Sequence, residues 1–278
     1  MAEWTDIGIS LGGRLFGETD VILDVLTPER GRVRGLVYGG VSQKKRALIE
    51  AGNTISIQWR ARAEGNLGHF AVAESQRERA SRYMSDPLAL AALTAATDIL
   101  REGLPEGEAK SGLFEATETL LDLLGDPDIW PALFIKWELG LLRMLGYGLN
   151  LDKCALSGAN DGLTHVSPRT GRAVRGSEAE DYLDKLLALP AFLTDSTAPP
   201  TPIDIGSGFQ LTGYFLTRRL FADFNRDAPD ARYFMLERLS KSGRLAHAAK
   251  PERETAPLKE DNPKKLGKHI RPKINRGT

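Results

Sequence analysis

The chain has 278 residues, 41% of them hydrophobic, with 37 basic and 37 acidic side chains and one cysteine. That length suits two domains better than one, and a lone cysteine excludes an intramolecular disulfide. The longest apolar runs, IWPALFI (129–135) and LLALPAFL (186–193), fall well short of the ~18–20 residues that span a bilayer. MAEWTDIGIS at the start carries neither the basic nor the apolar region of a secretory signal, so a soluble, cytoplasmic protein is expected.

The neutral total conceals segregated charge. Residues 30–62 hold eight Lys/Arg against Glu50 alone; residues 81–240 hold 15 basic and 23 acidic side chains; residues 241–278 hold 11 basic and four acidic. A single basic cluster is usually a solvated face. Two of them flanking an acidic middle point to a polyanionic partner.

Residues 5–74 read as five short strands. TDIGISL places Ile7, Ile9 and Leu11 on one face and is broken by Gly12-Gly13. TDVILDVLT, RVRGLVYGG, NTISIQWRAR and LGHFAVAE follow, with a turn at Pro28 to Gly31 and a helix, SQKKRALIEAG, between the third and fourth strands. Five strands with a helix at that position suit a small OB-type barrel. Alternation puts Ile55, Ile57, Trp59 and Ala61 on one face of the fourth strand and Gln58, Arg60 and Arg62 on the other, so Trp59 is expected in the core. Tyr38 shares a face with Arg32 and Arg34 and is the better candidate to stack a base. Arg32, Arg34, Lys44, Lys45, Arg46, Arg60 and Arg62 are expected to line a groove that tracks a phosphate backbone without reading sequence.

From Asp86-Pro87 onward the period becomes helical. Leu113, Thr117, Leu120, Leu121 and Leu124 form one stripe, and Ile129, Trp130, Leu133, Phe134, Trp137, Leu141 and Leu145 another, started by Asp126-Pro127. Ser177-x-x-Glu180 reads as a capping box opening a helix that Pro190 closes. STAPPTP (196–202) reads as a loop, followed by helices over FQLTGYFLTRRLFADF and ARYFMLERL. From about Ala248 the chain has almost nothing to bury and reads as a disordered basic tail. The expected fold is therefore α+β: an OB-type domain over 1–80, a helical domain over 81–247 and the tail 248–278. No nucleotide loop, dinucleotide fingerprint or zinc-protease motif occurs, and the four histidines have no partner at a recognisable spacing. A binding protein is expected, not an enzyme.

GETDVILDVLTPERGRVRGLVYGG (17–40), the following KKR and LIEAGNTISIQW together resemble the N-terminal signature of the bacterial RecO family. WELGLLRMLGYGLNLDKCALSG is similar to the family's long helix running into its zinc ribbon, so the resemblance covers about residues 5–240. It implies an OB domain fused to a helical domain with an inserted ribbon at 150–176. It also implies a recombination mediator that binds single- and double-stranded DNA and anneals strands. With RecR, such a protein helps RecA load on DNA coated by the single-stranded-DNA-binding protein, at the nucleoid. The acidic, hydrophobic-tipped tail of that coating protein is implied to bind the helical domain. Phe215, Arg218 and Arg219 are the candidates here, although the aromatics equally fit a core role. Many family members carry four ribbon cysteines. Here Cys154 stands first, Ser157 second, and the pair expected near 173–177 is missing, so no zinc cofactor is expected and the hairpin shape is expected to persist through a Pro168–Gly171 turn. An RNA-binding module and a protein scaffold with a merely solvated basic face stay open as rival readings.

Overall fold

A computed structural model describes residues 2–63, 66–194, 197 and 199–247. The basic tail expected from 248 lies outside the described residues. Strands β1 (Ala2–Phe16), β2 (Asp20–Thr27), β3 (Gly31–Val37), β4 (Thr54–Ala61) and β5 (Gly68–Arg77) pair in the order β1-β2-β3-β5-β4, and β4 pairs back on β1. The thinnest link is parallel and only two pairs long, Gly35 with Gly68 and Leu36 with His69. Helix α1 (Gln43–Leu48) lies between β3 and β4. Val21, Leu23, Val25, Val37, Ile55, Ile57 and Phe70 fill the interior, each from the inward parity of its strand. Trp59 packs on this cluster as its parity requires, stacked on Trp4 at 5.5 Å, with its indole N–H donated to the Arg34 carbonyl at 3.1 Å.

The break expected at Gly12-Gly13 does not occur. β1 continues to Phe16 through a bulge between Ser10 and Gly12, where Gly12 takes φ +92°. Here glycine admits the extra residue of a bulge and the strand carries on.

The helical part comprises α2 (Arg79–Arg82), α3 (Pro87–Gly103), α4 (Leu113–Leu123), α5 (Trp130–Met144), α6 (Pro202–Phe215) and α7 (Asp230–Lys241). Asp86 caps α3 by accepting the N–H groups of Leu88 and Ala89, with Pro87 in the first turn. Thr201 and Asp204 form a full capping box on α6. The apolar stripes of α3, α4 and α5 meet in one cluster with Phe209, Met235 and Leu239, and Ile9, Leu11 and Leu26 reach into it from the N-terminal sheet. Within that core Glu138 is fully buried and bonded to Arg232 by two contacts, 2.6 and 2.9 Å, and it also accepts the Thr212 hydroxyl. Among the described residues no helix is long and apolar enough to cross a membrane.

The helix expected over 177–190 is replaced by short 3-10 turns, Gly176–Glu178 and Glu180–Lys185, and then a strand. Strands β6 (Leu163–Val166), β7 (Ala173–Arg175) and β8 (Leu187–Ala188) form a small sheet in the order β7-β6-β8. The apolar run at 186–189 is drawn into pairing with β6, and Leu189 N–H bonds the Thr164 carbonyl at 2.8 Å. That pairing outweighs the local cap signal at Ser177.

Arg79 joins the sheet to the helices. It is 2% exposed and donates to Thr54 Oγ1 (2.7 Å) and the Gly52 carbonyl (3.0 Å) on one side, and to Asp122 (2.6 Å) and Glu118 (3.2 Å) of α4 on the other. Removing this guanidinium leaves the Gly52 carbonyl without its donor, while Glu118 and Asp122 keep access to solvent, so Arg79→Ala is expected to destabilise the fold by about 1–3 kcal/mol in urea unfolding. Lys241→Ala, which removes the exposed pair to Glu237, is expected to leave the urea midpoint nearly unchanged in the same assay.

Candidate nucleic-acid interface

The outer face of β3 carries Arg32, Arg34 and Leu36, alternating with Val33 and Val37, which pack on the sheet's inner cluster. Both arginines are pinned to carboxylates. Arg32 Nη1 donates to Asp24 at 2.7 Å, and Arg34 Nε donates to Glu106 at 2.7 Å. The loop before α4 lies along this half of the strand: the Arg32 and Glu106 backbones form a parallel β-bridge, and Gly107 N–H bonds the Arg32 carbonyl at 2.8 Å. Gly31, at φ +66°, permits that approach, since a Cβ there would meet the Glu108 carbonyl at 2.0 Å. Burial pushes the Asp24 carboxyl above its ordinary pKa, although Arg32 and Arg34 pull the other way. The hydrogen bond to Glu106 raises Arg34 further, so it stays charged.

Beyond Arg34 the surface opens. Tyr38 is 56% exposed and its ring lies 5.7 Å from that of His69, which sits between Leu36 on β3 and Arg60 on β4 in the strand pairings. Lys45 Nζ bonds the Tyr38 carbonyl, and Lys44, Arg46 and Arg62 are exposed. Arg60 is partly engaged by Glu3 at 3.1 Å. The single groove expected from the sequence is thus two neighbourhoods: an acid-paired stretch at Arg32 and Arg34, and an open aromatic–basic patch of Tyr38, His69, Arg60 and α1. His69, which has no partner at a recognisable spacing in the sequence, joins the patch through its parity on β5, opposite to that of Phe70.

In the second candidate site, Phe215 has no exposed surface and belongs to a buried cluster with Leu142, Leu216 and Phe221, so it offers no face to a peptide. A π-helical turn over Leu216–Leu220 separates the two arginines. Arg218 is exposed, whereas Arg219 stacks over Phe215 at 4.6 Å and donates to the Tyr147 carbonyl at 3.4 Å. The structure brings Phe215 and Arg219 together as packing and leaves Arg218 outside.

Cys154 is buried beside β7. Its sulfur accepts the N–H groups of Arg175 (3.4 Å) and Leu156 (3.5 Å), and its thiol contacts Glu178 Oε2 at 3.2 Å. Burial acts to raise the thiol, but hydrogen bonds from Ser157, Arg175 and Leu156 outweigh it and hold its pKa below the usual value. Structural zinc takes four ligands, chiefly thiolate and imidazole. One sulfur, a serine hydroxyl and one carboxylate do not fit that requirement, and His165 has its Nδ1 on Thr164 Oγ1 at 2.9 Å. Among the described residues no group of three or more His, Cys, Asp or Glu could hold a metal ion.

The comparisons with known proteins agree with one another. The family model for the Recombination protein O N terminal region matches residues 1–79, and that for Recombination protein O C terminal matches 84–228. The DNA repair protein RecO of Hyphomonas neptunium is 60% identical over 239 residues, 86% of this chain and 98% of that protein. Those of Caulobacter vibrioides strain NA1000 and Methylorubrum extorquens strain PA1 are 42% and 44% identical, covering 87% and 83% of this chain and 100% and 95% of theirs. The chain belongs to the RecO family of DNA repair and recombination proteins.

Proposed function

We propose that this chain is a recombination mediator that holds DNA strands on the outer face of an OB-type N-terminal domain and anneals them. In this reading it works with RecR to let RecA load on DNA coated by the single-stranded-DNA-binding protein, and it catalyses no reaction. The strand order β1-β2-β3-β5-β4, with α1 between β3 and β4, supports the OB reading. The observation that carries the DNA reading is the open patch of Tyr38, His69, Arg60, Arg62 and Lys44 to Arg46. A π-face beside exposed cations is what a strand of any sequence requires. Arg32 and Arg34 belong to this surface only where a phosphate displaces Asp24 or Glu106.

With about four phosphate contacts on single-stranded DNA, log K should fall against log salt with a slope near −3, and Lys44→Ala, Lys45→Ala and Arg46→Ala together should bring it toward about −1. Anisotropy titrations at several salt concentrations check this; a slope unchanged in the triple variant would move the groove elsewhere. Annealing of coated DNA strands, with and without RecR, tests the mediator role.

For the acidic tail of the single-stranded-DNA-binding protein, Arg218 is the residue the structure leaves available. Arg218→Ala is expected to weaken binding of that tail peptide by roughly two- to fivefold, as exposed ion pairs allow, with oligonucleotide binding unchanged. We further propose that the ribbon folds without zinc. Elemental analysis should find no stoichiometric metal, and Cys154→Ser should move the melting temperature by only a few degrees; one zinc per chain would refute this.

A further inference from the structure

We propose that the groove at the junction of the N-terminal sheet and the helices is a nucleotide pocket: it takes one nucleotide of a single DNA strand, phosphate on its arginines and base on Phe224. This rests on the DNA-binding reading above and adds a second, enclosed contact point to it. The groove has a volume of about 610 Å³, inside the roughly 300–1,000 Å³ typical of small-molecule sites.

Five arginines reach it from four segments: Arg14 from β1, Arg32 and Arg34 from β3, Arg101 from α3, and Arg226 from the turn before α7. Asp24 and Glu102 are the acids in its lining. Arg32 and Arg34 are already paired, with Asp24 at 2.7 Å and Glu106 at 2.7 Å, so the spare cationic capacity lies on the other three. Arg101 is shared between Asp98 (2.8 Å) and Glu102 (3.6 Å), and Arg226 reaches Glu102 only at 3.7 Å. Arg14 is exposed and has no acidic partner among the described residues. Guanidinium donors converging from several directions match the oxygens of a phosphodiester.

One lining residue is aromatic: Phe224 is 42% exposed, with the Arg226 guanidinium 5.6 Å from its ring centroid. Asn225, between them, takes φ +53° and is the only non-glycine residue with positive φ among those described. That turn presents both side chains to the same space. Bases stack on aromatic rings and on arginine planes alike, so cation and stacking surface side by side favour a nucleotide over inorganic phosphate or a carboxylate peptide.

The test uses the full chain, a labelled oligothymidylate and an abasic strand of equal length. Phe224→Ala should weaken oligothymidylate binding roughly 5- to 100-fold with the salt slope unchanged, and should leave the abasic strand unaffected. Phe224→Leu, which keeps apolar packing, should behave like Phe224→Ala. Arg14→Ala with Arg226→Ala should weaken both strands and reduce the slope by about 1.4. Equal loss on both strands for the phenylalanine variants would show a structural role and overturn the proposal, as would unchanged binding in all of them. Loss by the arginine variant of an acidic peptide alone, with DNA untouched, would overturn it in favour of a protein ligand. If the wild type binds and only the Lys44–Arg46 variant changes, this inference fails while the broader DNA reading stands. A wild type that binds no strand ends both.

Discussion

Everything at the junction depends on Arg79 being buried and fully bonded. A guanidinium taken from water is costly unless its donors find acceptors, and here Thr54 and Gly52 from the sheet meet Glu118 and Asp122 from α4 around one side chain. Arg77 joins Asp122 from outside, and the Tyr83 hydroxyl donates to the Leu121 carbonyl at 2.8 Å, so the start of the helical part is tied at three successive points. Apolar packing alone would let α4 slide. Directional bonds to a single arginine fix which face of the sheet the helices cover, and therefore which basic side chains are left to solvent.

That choice sets the electrostatics. The helices cover the outer face of β1 and β2 through Ile9, Leu11 and Leu26, and the loop before α4 then lies against β3 with Glu106 and Glu108. One acid of the negative middle of the sequence is spent on the basic N-terminal segment, Glu106 on Arg34, while Asp24 pairs with Arg32 within the sheet and Glu102 meets Arg101 and Arg226 within the middle itself. Charge segregation along the chain becomes partial neutralisation in space. Arginines paired this way are preorganised for an oxyanion but must exchange a carboxylate for it. The open patch at Tyr38 meets no such competition beyond Glu3. In the proposed reading, a strand would engage the open patch by counterion release and the junction partly by exchange with these carboxylates.

The strand parities and the helical stripes were legible because each depends on residues near in sequence. Ile55, Ile57 and Trp59 face inward as alternation requires, and α4 and α5 follow their apolar periods. What failed was anything decided by a distant partner. Gly12-Gly13 looks like a stop until β2 is there to pair across the bulge. Ser177-x-x-Glu180 looks like a cap until β6 captures Leu187 and Ala188. Arg32 and Arg34 were correctly placed on an outer face, but parity cannot say what covers that face. Arg14, Arg101 and Arg226 could not be grouped at all, since 212 positions separate the first from the last.

The pair Arg218-Arg219 shows how a local irregularity can divide adjacent like charges between two tasks. On a regular helix they would project about 100° apart and both could reach solvent. The π-helical turn at Leu216–Leu220 shifts the phase just there, and Arg219 is laid across Phe215 toward the ribbon. It meets Gly171 in the β6–β7 turn, where φ is +71° and a Cβ would come within 3.0 Å of its guanidinium. The ribbon is thereby docked on the helical core at its tip by Arg219, while its base is held by backbone bonds to the Cys154 sulfur and by Arg175 on Asp161 at 2.6 Å. Tip and base together restrain the hairpin at both ends. In the zinc-free reading proposed above, those two restraints do the positioning that a metal at the centre would otherwise do.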